Sequence, residues 1–575
     1  MPARVWPWLA ALAAATAVAY AGSLDTPFLL DDPINITKNP DIERPLAIGR
    51  LIADPRAVVT ATLRLNWLLG GFEVAGYHVL NLVAHMVAGF LVFALARLTL
   101  RLDVFGGRYA RSADAVAAAA AGVFLLHPMQ TESVTYVIQR AEIFAAAGLL
   151  GALAAFSSFS TCRDGFTRAT AVLFVVSCVV GTYSKPSFAV VPALLLVYDA
   201  CFLWQGRTAD LARRGAAYAA ATAASLATFA LTRASGSFSA STAGFEIEGI
   251  TPAGYLSAQF GVVVHYLRVA LWPDRLCFDC GYRGPWPVLD GPLGDSVIVP
   301  ATMLAALAAL SVYVRSKQPL LPFAVFGSAV ALLPTSSVVP LADFYVEHRM
   351  YLPIAFVAMA AAAGFHDATA ALASRLAVAA RPLALLRWGS ALAVVAALGA
   401  ATASRNEVLG DPVALMEDAL AQAPQNERVH YNLANAYKRM GRLDEAIPHY
   451  EAAIRLLPGV VRSYQNLGSL YLEQGKEEEA LRVYTAGAEA KPEAAIAHRN
   501  VGTTLLRLGR AEEALARART ALRLEPGNTN GHRLAGDALM ALGRPSEAAA
   551  MWREGLAARP ADANLKERLG KLEGR

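Results

Sequence analysis

The sequence predicts an all-α chain in two parts, a polytopic helical membrane domain over residues 1–404 and a helical-repeat solenoid over residues 405–575. Three observations predict it. Hydrophobic residues make up 55% of the 575, charged residues only 17%, and the mean hydropathy is +0.39; a soluble domain carries about 25% charged residues. The deficit is local: Lys, Arg, Asp and Glu number 50 in residues 1–404 and 47 in the much shorter 405–575. The second segment also repeats itself at a fixed interval. This balance excludes a disordered chain and a small disulfide-framed domain. The net charge of +5 is not gathered into a basic patch, so no nucleic-acid partner is expected.

Apolar stretches long enough to cross a bilayer as helices recur near 5–23, 77–98, 114–128, 143–160, 169–184, 187–204, 215–233, 296–314, 319–339, 351–370 and 388–404. The first lacks a convincing cleavage site and is read as a retained span rather than a signal peptide. The stretch 254–272 carries Gln259, His265 and Arg268. Positive residues collect in cytoplasmic loops. The clusters Arg97/Arg101/Arg108/Arg111, Arg163/Arg168, Arg207/Arg213/Arg214, Arg315/Lys317 and Arg375/Arg381/Arg387 fall on one side only if 254–272 does not cross. It is therefore expected to be re-entrant or interfacial. The N-terminus is then cytoplasmic, and eleven crossings place the C-terminal domain on the outer side, periplasm or lumen. An Ala- and Arg-rich composition leans to a bacterial inner membrane, with the endoplasmic reticulum as the alternative.

Pro424, Pro458, Pro492, Pro526 and Pro560 stand 34 residues apart, as do Gly441, Gly475, Gly509 and Gly543, and Ala446, Ala480, Ala514 and Ala548. A 34-residue period with this punctuation is the tetratricopeptide signature. One repeat shows it as Tyr464, Leu467, Gly468, Tyr471, Ala480, Tyr484 and Pro492. Four repeats are expected at about 425–458, 459–492, 493–526 and 527–560, with capping helices at 412–423 and 561–573. The concave face offers a groove for an extended peptide or a partner helix. Asn432, Asn466 and Asn500 recur there, either to hold a ligand backbone or to bond helix to helix.

Candidate chemistry concentrates in the outer loops. Asp31 and Asp32 follow the first span; two carboxylates at a membrane surface need solvent or partners. One reading is a general base whose neighbour raises its pKa; a solvated loop or a helix cap is the other. His127, Glu132, Tyr136 and Arg140 crowd one short connection, the last three at helical spacing. Lys185 sits between two spans with barely any loop. Glu347, His348 and Arg349 open the entrance to a late span. Arg140, Lys185 and Arg349 together put three cations on the outer face, a set suited to a phosphate group; as single features they read equally as anchors and inter-helix turns. His78, Asn81 and His85 share one helix face and are expected to pack inward. Cys277 and Cys280 are a local pair, either a disulfide or free thiols; Cys162, Cys178 and Cys201 are expected to pack as small hydrophobes. Asp199 is read as an interfacial cap. Asn35-Ile36-Thr37 matches a glycosylation sequon but lies too near the membrane to weigh. No metal-ligand set stands out, and a divalent cation stays open.

In combination these motifs are recognisable. Asp31-Asp32 after the first span, Gly76-Tyr77-His78-Val79-Leu80-Asn81, the His127-Pro128 to Ala141-Glu142 loop, Ser184-Lys185-Pro186, Glu347-His348-Arg349-Met350-Tyr351 and the tandem repeats resemble the transmembrane and tetratricopeptide-repeat O-mannosyltransferases, and more broadly GT-C-fold glycosyltransferases. The resemblance implies a polyprenyl or dolichyl phosphate sugar donor, commonly of mannose, and a Ser or Thr hydroxyl of an outer-side protein as acceptor. It implies catalytic roles for Asp31, Asp32 and Glu132. Arg140, Lys185, His348 and Arg349 would then meet the donor phosphate, with His127, Tyr136 and His78 in support. The loop 234–295, with Gly281, Gly284, Pro285 and Pro287, departs from an alignable pattern. A non-catalytic membrane-anchored scaffold is the alternative. A transporter is disfavoured because the ionisable residues collect at the surface rather than at mid-membrane.

Overall fold

The computed structural model describes residues 5–574 except 46–47, 162–166, 205–207, 236–243, 245–249, 281–296 and 377–379. Arg163 and Arg207 of the basic clusters, Cys162, and the Gly- and Pro-rich residues 281–287 lie outside the described residues. The chain divides into two compact units, Met1–Gln422 and Ala423–Arg575. No β-strand occurs among the described residues.

Helices of ten residues or more are numbered α1 to α23. The first unit holds α1 (Trp6–Ala19), α2 (Ala57–Gly70), α3 (Val74–Thr99), α4 (Ala113–Leu126), α5 (Arg140–Thr161), α6 (Arg168–Thr182), α7 (Val191–Phe202) and α8 (Thr208–Ala234). It continues through α9 (Pro252–Leu271), α10 (Ile298–Tyr313), α11 (Leu320–Leu332), α12 (Tyr351–Arg375), α13 (Ala380–Gly410) and α14 (Pro412–Gln422). All eleven expected apolar stretches are helical, but they differ in length. Among the described residues five helical stretches are long and apolar enough to cross a membrane, Val74–Thr99, Val137–Ser160, Arg214–Ala234, Glu347–Arg375 and Pro382–Gly410; six more are apolar but shorter. Proline explains one shortening. Pro186 opens a 3-10 turn, and α7 starts only at Val191 with Pro192 in its first turn, so 187–204 is not one continuous α-helix.

The centre is α4. Its Ala-rich sequence is buried along most of its length, and α1, α3, α12 and α13 pack around it. Methyl-sized side chains let helix backbones approach closely where a membrane supplies little hydrophobic drive. His85 of α3 ties the group together: Nδ1 lies 2.7 Å from Tyr351 Oη and Nε2 3.0 Å from the Leu125 carbonyl. The outside of the unit is apolar too. Val79, Val83 and Val87 form an exposed stripe on α3, Val172, Val175, Val176 and Val179 another on α6, and α13 exposes Leu385, Leu386, Leu392 and Val394. Such surfaces are stable against lipid and not against water, and the chain is a membrane protein.

The helix 412–423, expected to cap the repeats, belongs instead to the first unit as α14. Arg405 pairs with Asp418 at 2.6 Å, and Gln422 Nε2 donates to the Leu276 carbonyl at 2.7 Å. The change in composition near residue 405 therefore precedes the structural boundary by one helix.

The second unit is a tetratricopeptide array. Its helix pairs are α15 (Glu427–Arg439) and α16 (Leu443–Leu456), α17 (Val461–Glu473) and α18 (Glu477–Ala490), α19 (Ala495–Arg507) and α20 (Ala511–Leu524), and α21 (Thr529–Ala541) and α22 (Pro545–Ala558), closed by α23 (Ala563–Glu573). The 34-residue punctuation has a local cause. Gly441, Gly475, Gly509 and Gly543 adopt φ between 72° and 75°, the left-handed turn that ends the first helix of each pair. Ala446, Ala480, Ala514 and Ala548 are wholly buried where the paired helices meet.

One close crossing gives a test. A Cβ on Gly148 of α5 would stand 2.7 Å from the Ser177 carbonyl oxygen and 3.0 Å from Gly181 Cα, both backbone atoms of α6. Gly148→Ala should lower the thermal unfolding midpoint in detergent, at a cost of about 1–3 kcal/mol. Gly364→Ala, where nothing lies within 4 Å, should leave the midpoint unchanged or raise it. Equal midpoints for the two variants would contradict this packing.

Candidate active site

Four loops meet at one end of the first unit. The first, after α1, carries the acidic pair, and the structure separates the two carboxylates. Asp32 is fully buried. Its Oδ1 accepts from Ile138 N–H at 2.8 Å, and its Oδ2 accepts from Leu29 N–H at 3.0 Å and Val137 N–H at 3.3 Å. Burial pushes its pKa up to about 7, against the pull of those N–H groups and of Arg140. Asp31 is exposed. The preceding Leu30 has φ +29°, in the left-handed region that a branched side chain rarely occupies. Asp31 N–H donates to Tyr136 Oη at 3.0 Å, while its carboxylate takes no hydrogen bond among the described residues. One acid is thus a clamp between two loops, and its neighbour is the free group.

The second loop, 127–139, supplies Glu132, the third, 183–190, supplies Lys185, and the fourth, 340–350, supplies His348. Glu132 Oε1 lies 2.7 Å from His348 Nδ1, and Oε2 accepts from His348 N–H at 3.0 Å. Burial would raise the Glu132 carboxyl, but His348 and the backbone donors outweigh it and hold Glu132 below its ordinary range. A carboxylate facing Nδ1 assigns the hydrogen to that nitrogen and leaves Nε2 available. Arg349 is buried beside them. Its Nη2 donates to the Asp343 carbonyl at 2.7 Å and its Nη1 to the Phe344 carbonyl at 3.2 Å. The Asp343 carboxyl is raised chiefly by burial; Arg349 and His348 lower it, and Glu132 and Asp31 raise it. Asp343 therefore lies within the field of all four.

The amphipathic helix α9 supports this loop. Tyr266 Oη donates to the Val346 carbonyl at 2.8 Å, Gln259 Nε2 donates to the Phe344 carbonyl at 3.2 Å, and the Tyr266 and Tyr345 rings stack at 5.1 Å. From the other side Cys277 N–H donates to Glu347 Oε1, and Cys277 is disulfide-bonded to Cys280. Cys178 is buried and Cys201 half-buried, both as free thiols.

The cations do not form one cluster. Lys185 pairs with Glu142, and Glu142 and Arg349 both line a small cleft with Ser187. The rest of that cleft is apolar: Ala145, Ala146, Leu149, Ala331, Leu352 and Pro353. Arg140 points elsewhere. It is fully buried, with Nη1 bonded to Asn66 Oδ1 at 2.9 Å, Nη2 to the Tyr77 carbonyl at 3.2 Å, and its guanidinium over the Tyr77 ring. His78 Nε2 lies 2.8 Å from the Thr26 carbonyl, and Asn81 Nδ2 donates to the Val134 carbonyl at 3.0 Å. His127 Nδ1 accepts from Met129 N–H at 3.2 Å, so its Nε2–H faces the Ala270 carbonyl at 3.1 Å. Burial lowers the His127 pKa to about 4, which keeps it neutral. Tyr136, buried, packs edge-on against Phe278. At the opposite end of α7, Asp199 is not a cap alone but a buried partner of Arg214 at 2.7 Å and of Tyr218.

Sequence reasoning missed Asp343 and Tyr266 and assigned no role to Glu142. The aromatic-acidic run just before Glu347 was the available signal for Asp343. Among the described residues no group of three or more His, Cys, Asp or Glu is arranged to hold a metal ion.

Models of the tetratricopeptide repeat match residues 425–493, 466–529 and 505–572. A protein O-mannosyl-transferase of Caenorhabditis elegans is 23% identical over 76% of this chain and 61% of its own. The human protein O-mannosyl-transferase TMTC1 is 24% identical over 78% of this chain and 55% of its own. The chain is similar to the protein O-mannosyl-transferases along most of its length. A stronger local match, 34%, links 24% of it to 16% of the Drosophila melanogaster protein O-mannosyl-transferase Tmtc1. The chain spans about three fifths or less of the length of these curated relatives.

The two adjacent carboxylates should respond oppositely to the same change. Asp32→Asn turns an amide N–H₂ toward backbone N–H donors and should destabilise the chain by about 1–3 kcal/mol, read as a lower unfolding midpoint in detergent. Asp31→Asn should leave the midpoint within about 0.5 kcal/mol of wild type. The pH dependence has a definite sign. A raised carboxyl pKa favours the folded state fully below the ordinary value near 4. That contribution is lost as pH rises through the folded value near 7. The midpoint difference between wild type and Asp32→Asn should therefore shrink from pH 4 to pH 7; a constant difference would mean Asp32 is ionised throughout.

Proposed function

We propose that this chain is an integral-membrane glycosyltransferase that moves a sugar, mannose by its resemblance, from a polyprenyl or dolichyl phosphate to Ser or Thr hydroxyls of proteins on the outer side of the membrane. The observation that carries the reading is the assembly of Asp31, the Glu132–His348 pair and Arg349 around Asp343 at one end of the membrane unit. A lipid-linked phosphate needs cations for the phosphate and an apolar wall for the isoprenoid chain; Arg349 and Lys185 are cations at this end, and the exposed helix faces of the unit are apolar. The similarity to named O-mannosyl-transferases supports the same chemistry.

The roles divide by access. The acceptor hydroxyl attacks the anomeric carbon while the bond from that carbon to the phosphate oxygen breaks. The bonding pair leaves on the phosphate, and the hydroxyl proton goes to Asp31, the carboxylate open to solvent. Such a base contributes about 10²–10⁴-fold. Lys185 and Arg349 stabilise the charge that develops on the leaving phosphate. Glu132 orients His348, which in its protonated form donates from Nε2 to the same group. Asp32, Arg140, Tyr136, His78 and His127 act through the loops they hold. The repeats bind the acceptor polypeptide and raise its local concentration. The basic loop clusters support a cytoplasmic N-terminus and repeats in the periplasm or lumen, with a bacterial inner membrane favoured over the endoplasmic reticulum.

Sugar transfer in membranes from radiolabelled polyprenyl-phosphate mannose tests this. Asp31→Asn should lower transfer about 10²–10⁴-fold at unchanged expression, and Glu132→Gln should lower it by at least about tenfold through the lost His348 orientation. Wild-type membranes inactive with mannose and with other polyprenyl-phosphate sugars, alongside normal folding, would overturn the reading.

A further inference from the structure

The segment after α9 closes on itself. Cys277 and Cys280, three positions apart, form a disulfide. A ring so short removes little freedom from the unfolded chain, so it adds less to global stability than a bridge between distant residues. Its effect is local. Cys277, Phe278 and Cys280 are each at most 2% exposed. Asp279, inside the ring, has φ +67°, a left-handed conformation that residues other than glycine rarely hold. The bridge confines the backbone to this turn.

The ring stands between α14 and two of the site loops. Its sulfurs lie 3.9 and 3.7 Å from the Ala419 carbonyl oxygen of α14, and the Leu276 carbonyl just before it accepts from Gln422 Nε2 at 2.7 Å. On the other side the Phe278 ring meets the Tyr136 ring edge-on, centroids 5.7 Å apart, and Tyr136 Oη accepts the Asp31 N–H at 3.0 Å. Cys277 N–H donates to Glu347 Oε1, and Glu347 immediately precedes His348 and Arg349. The ring thus touches both the side chain that turns Asp31 outward and the acid that opens the His348–Arg349 loop. A displacement of about 1 Å passed to a reacting group can cost about 10²-fold in rate.

We propose that the Cys277–Cys280 ring is a positioning element, which holds Asp31 through Tyr136 and the His348–Arg349 loop through Glu347, and that sugar transfer depends on the closed disulfide. The inference rests on the transferase reading and adds a condition to it. Closure joins the two sulfurs while their two hydrogens and two electrons pass to a disulfide oxidant, which leaves as two thiols. The active form is therefore completed on the oxidising side of the membrane.

The full chain in detergent gives the test. Alkylation with N-ethylmaleimide after denaturation without reductant should mark Cys178 and Cys201 and leave Cys277 and Cys280 unmodified. In the double variant Cys277→Ser/Cys280→Ser, kcat for transfer from polyprenyl-phosphate mannose should fall at least about tenfold, with the donor KM within about threefold of wild type. Amide hydrogen exchange should quicken at residues 29–32 and 343–349. Phe278→Ala, which keeps the disulfide, should lower kcat and quicken exchange at 29–32 but not at 343–349, a division that general destabilisation would not produce. Cys201→Ser, a free thiol away from the site, should leave transfer unchanged. Alkylation of Cys277 and Cys280 in wild type, a wild-type kcat in the double variant, or unchanged exchange at both loops in that variant would each overturn the proposal. If wild type moves no sugar from any polyprenyl phosphate, the transferase reading fails, and alkylation and exchange alone decide whether the ring holds the two loops.

Discussion

The site end of the membrane unit depends on how one buried carboxylate is satisfied. Asp32 takes three backbone N–H groups from two loops more than 100 residues apart in sequence. A charge that deep is tolerated only with such company. The bonds fix residues 29–32 against 137–138, and this register aligns everything adjacent. Asp31 is held outward by its own N–H on Tyr136, Arg140 is locked behind the loop, and Glu132 is delivered to His348. The strained Leu30 conformation is the local cost of facing one acid inward and the next outward.

The same economy governs the cations. Three arginine and lysine residues expected to act alike fall into different surroundings. Arg140 satisfies groups in the interior, Lys185 is paired with Glu142, and Arg349 bonds backbone carbonyls of its own loop while reaching the cleft. A fork of five donors can both brace a loop and face a ligand, which an ammonium cannot do. The loop that carries Arg349 is in turn braced by Tyr266 and Gln259 of α9, so a helix outside the eleven apolar stretches shapes the site.

Within the repeats, identical spacing does not mean identical function. Gly441 and its equivalents turn the chain, and Ala446 and its equivalents admit the partner helix, in every repeat. The groove positions are free of those backbone demands and vary. Asn466 bonds helix to helix, to Tyr431 and Asn435, and the equivalents of Tyr431 in the third and fourth repeats are Arg499 and Arg533.

Much of the architecture was legible from sequence because it follows from short-range rules. Eleven apolar stretches became eleven apolar helices, and the proline, glycine and alanine intervals became helix ends, left-handed turns and close crossings. Those features depend on a residue and its near neighbours. The sequence also marked the loops that meet, since polar residues so near a membrane must find partners. Only the tertiary structure decided which member of each pair does what. Asp31 and Asp32 are chemically identical and adjacent, and their difference arises from N–H groups of a loop over 100 residues away. The placement of α14 in the membrane unit, the burial of Arg140 and the Glu132–His348 contact likewise come from partners distant in sequence. Burial and hydrogen bonding set the charge and access of a side chain, and both are properties of the assembled fold.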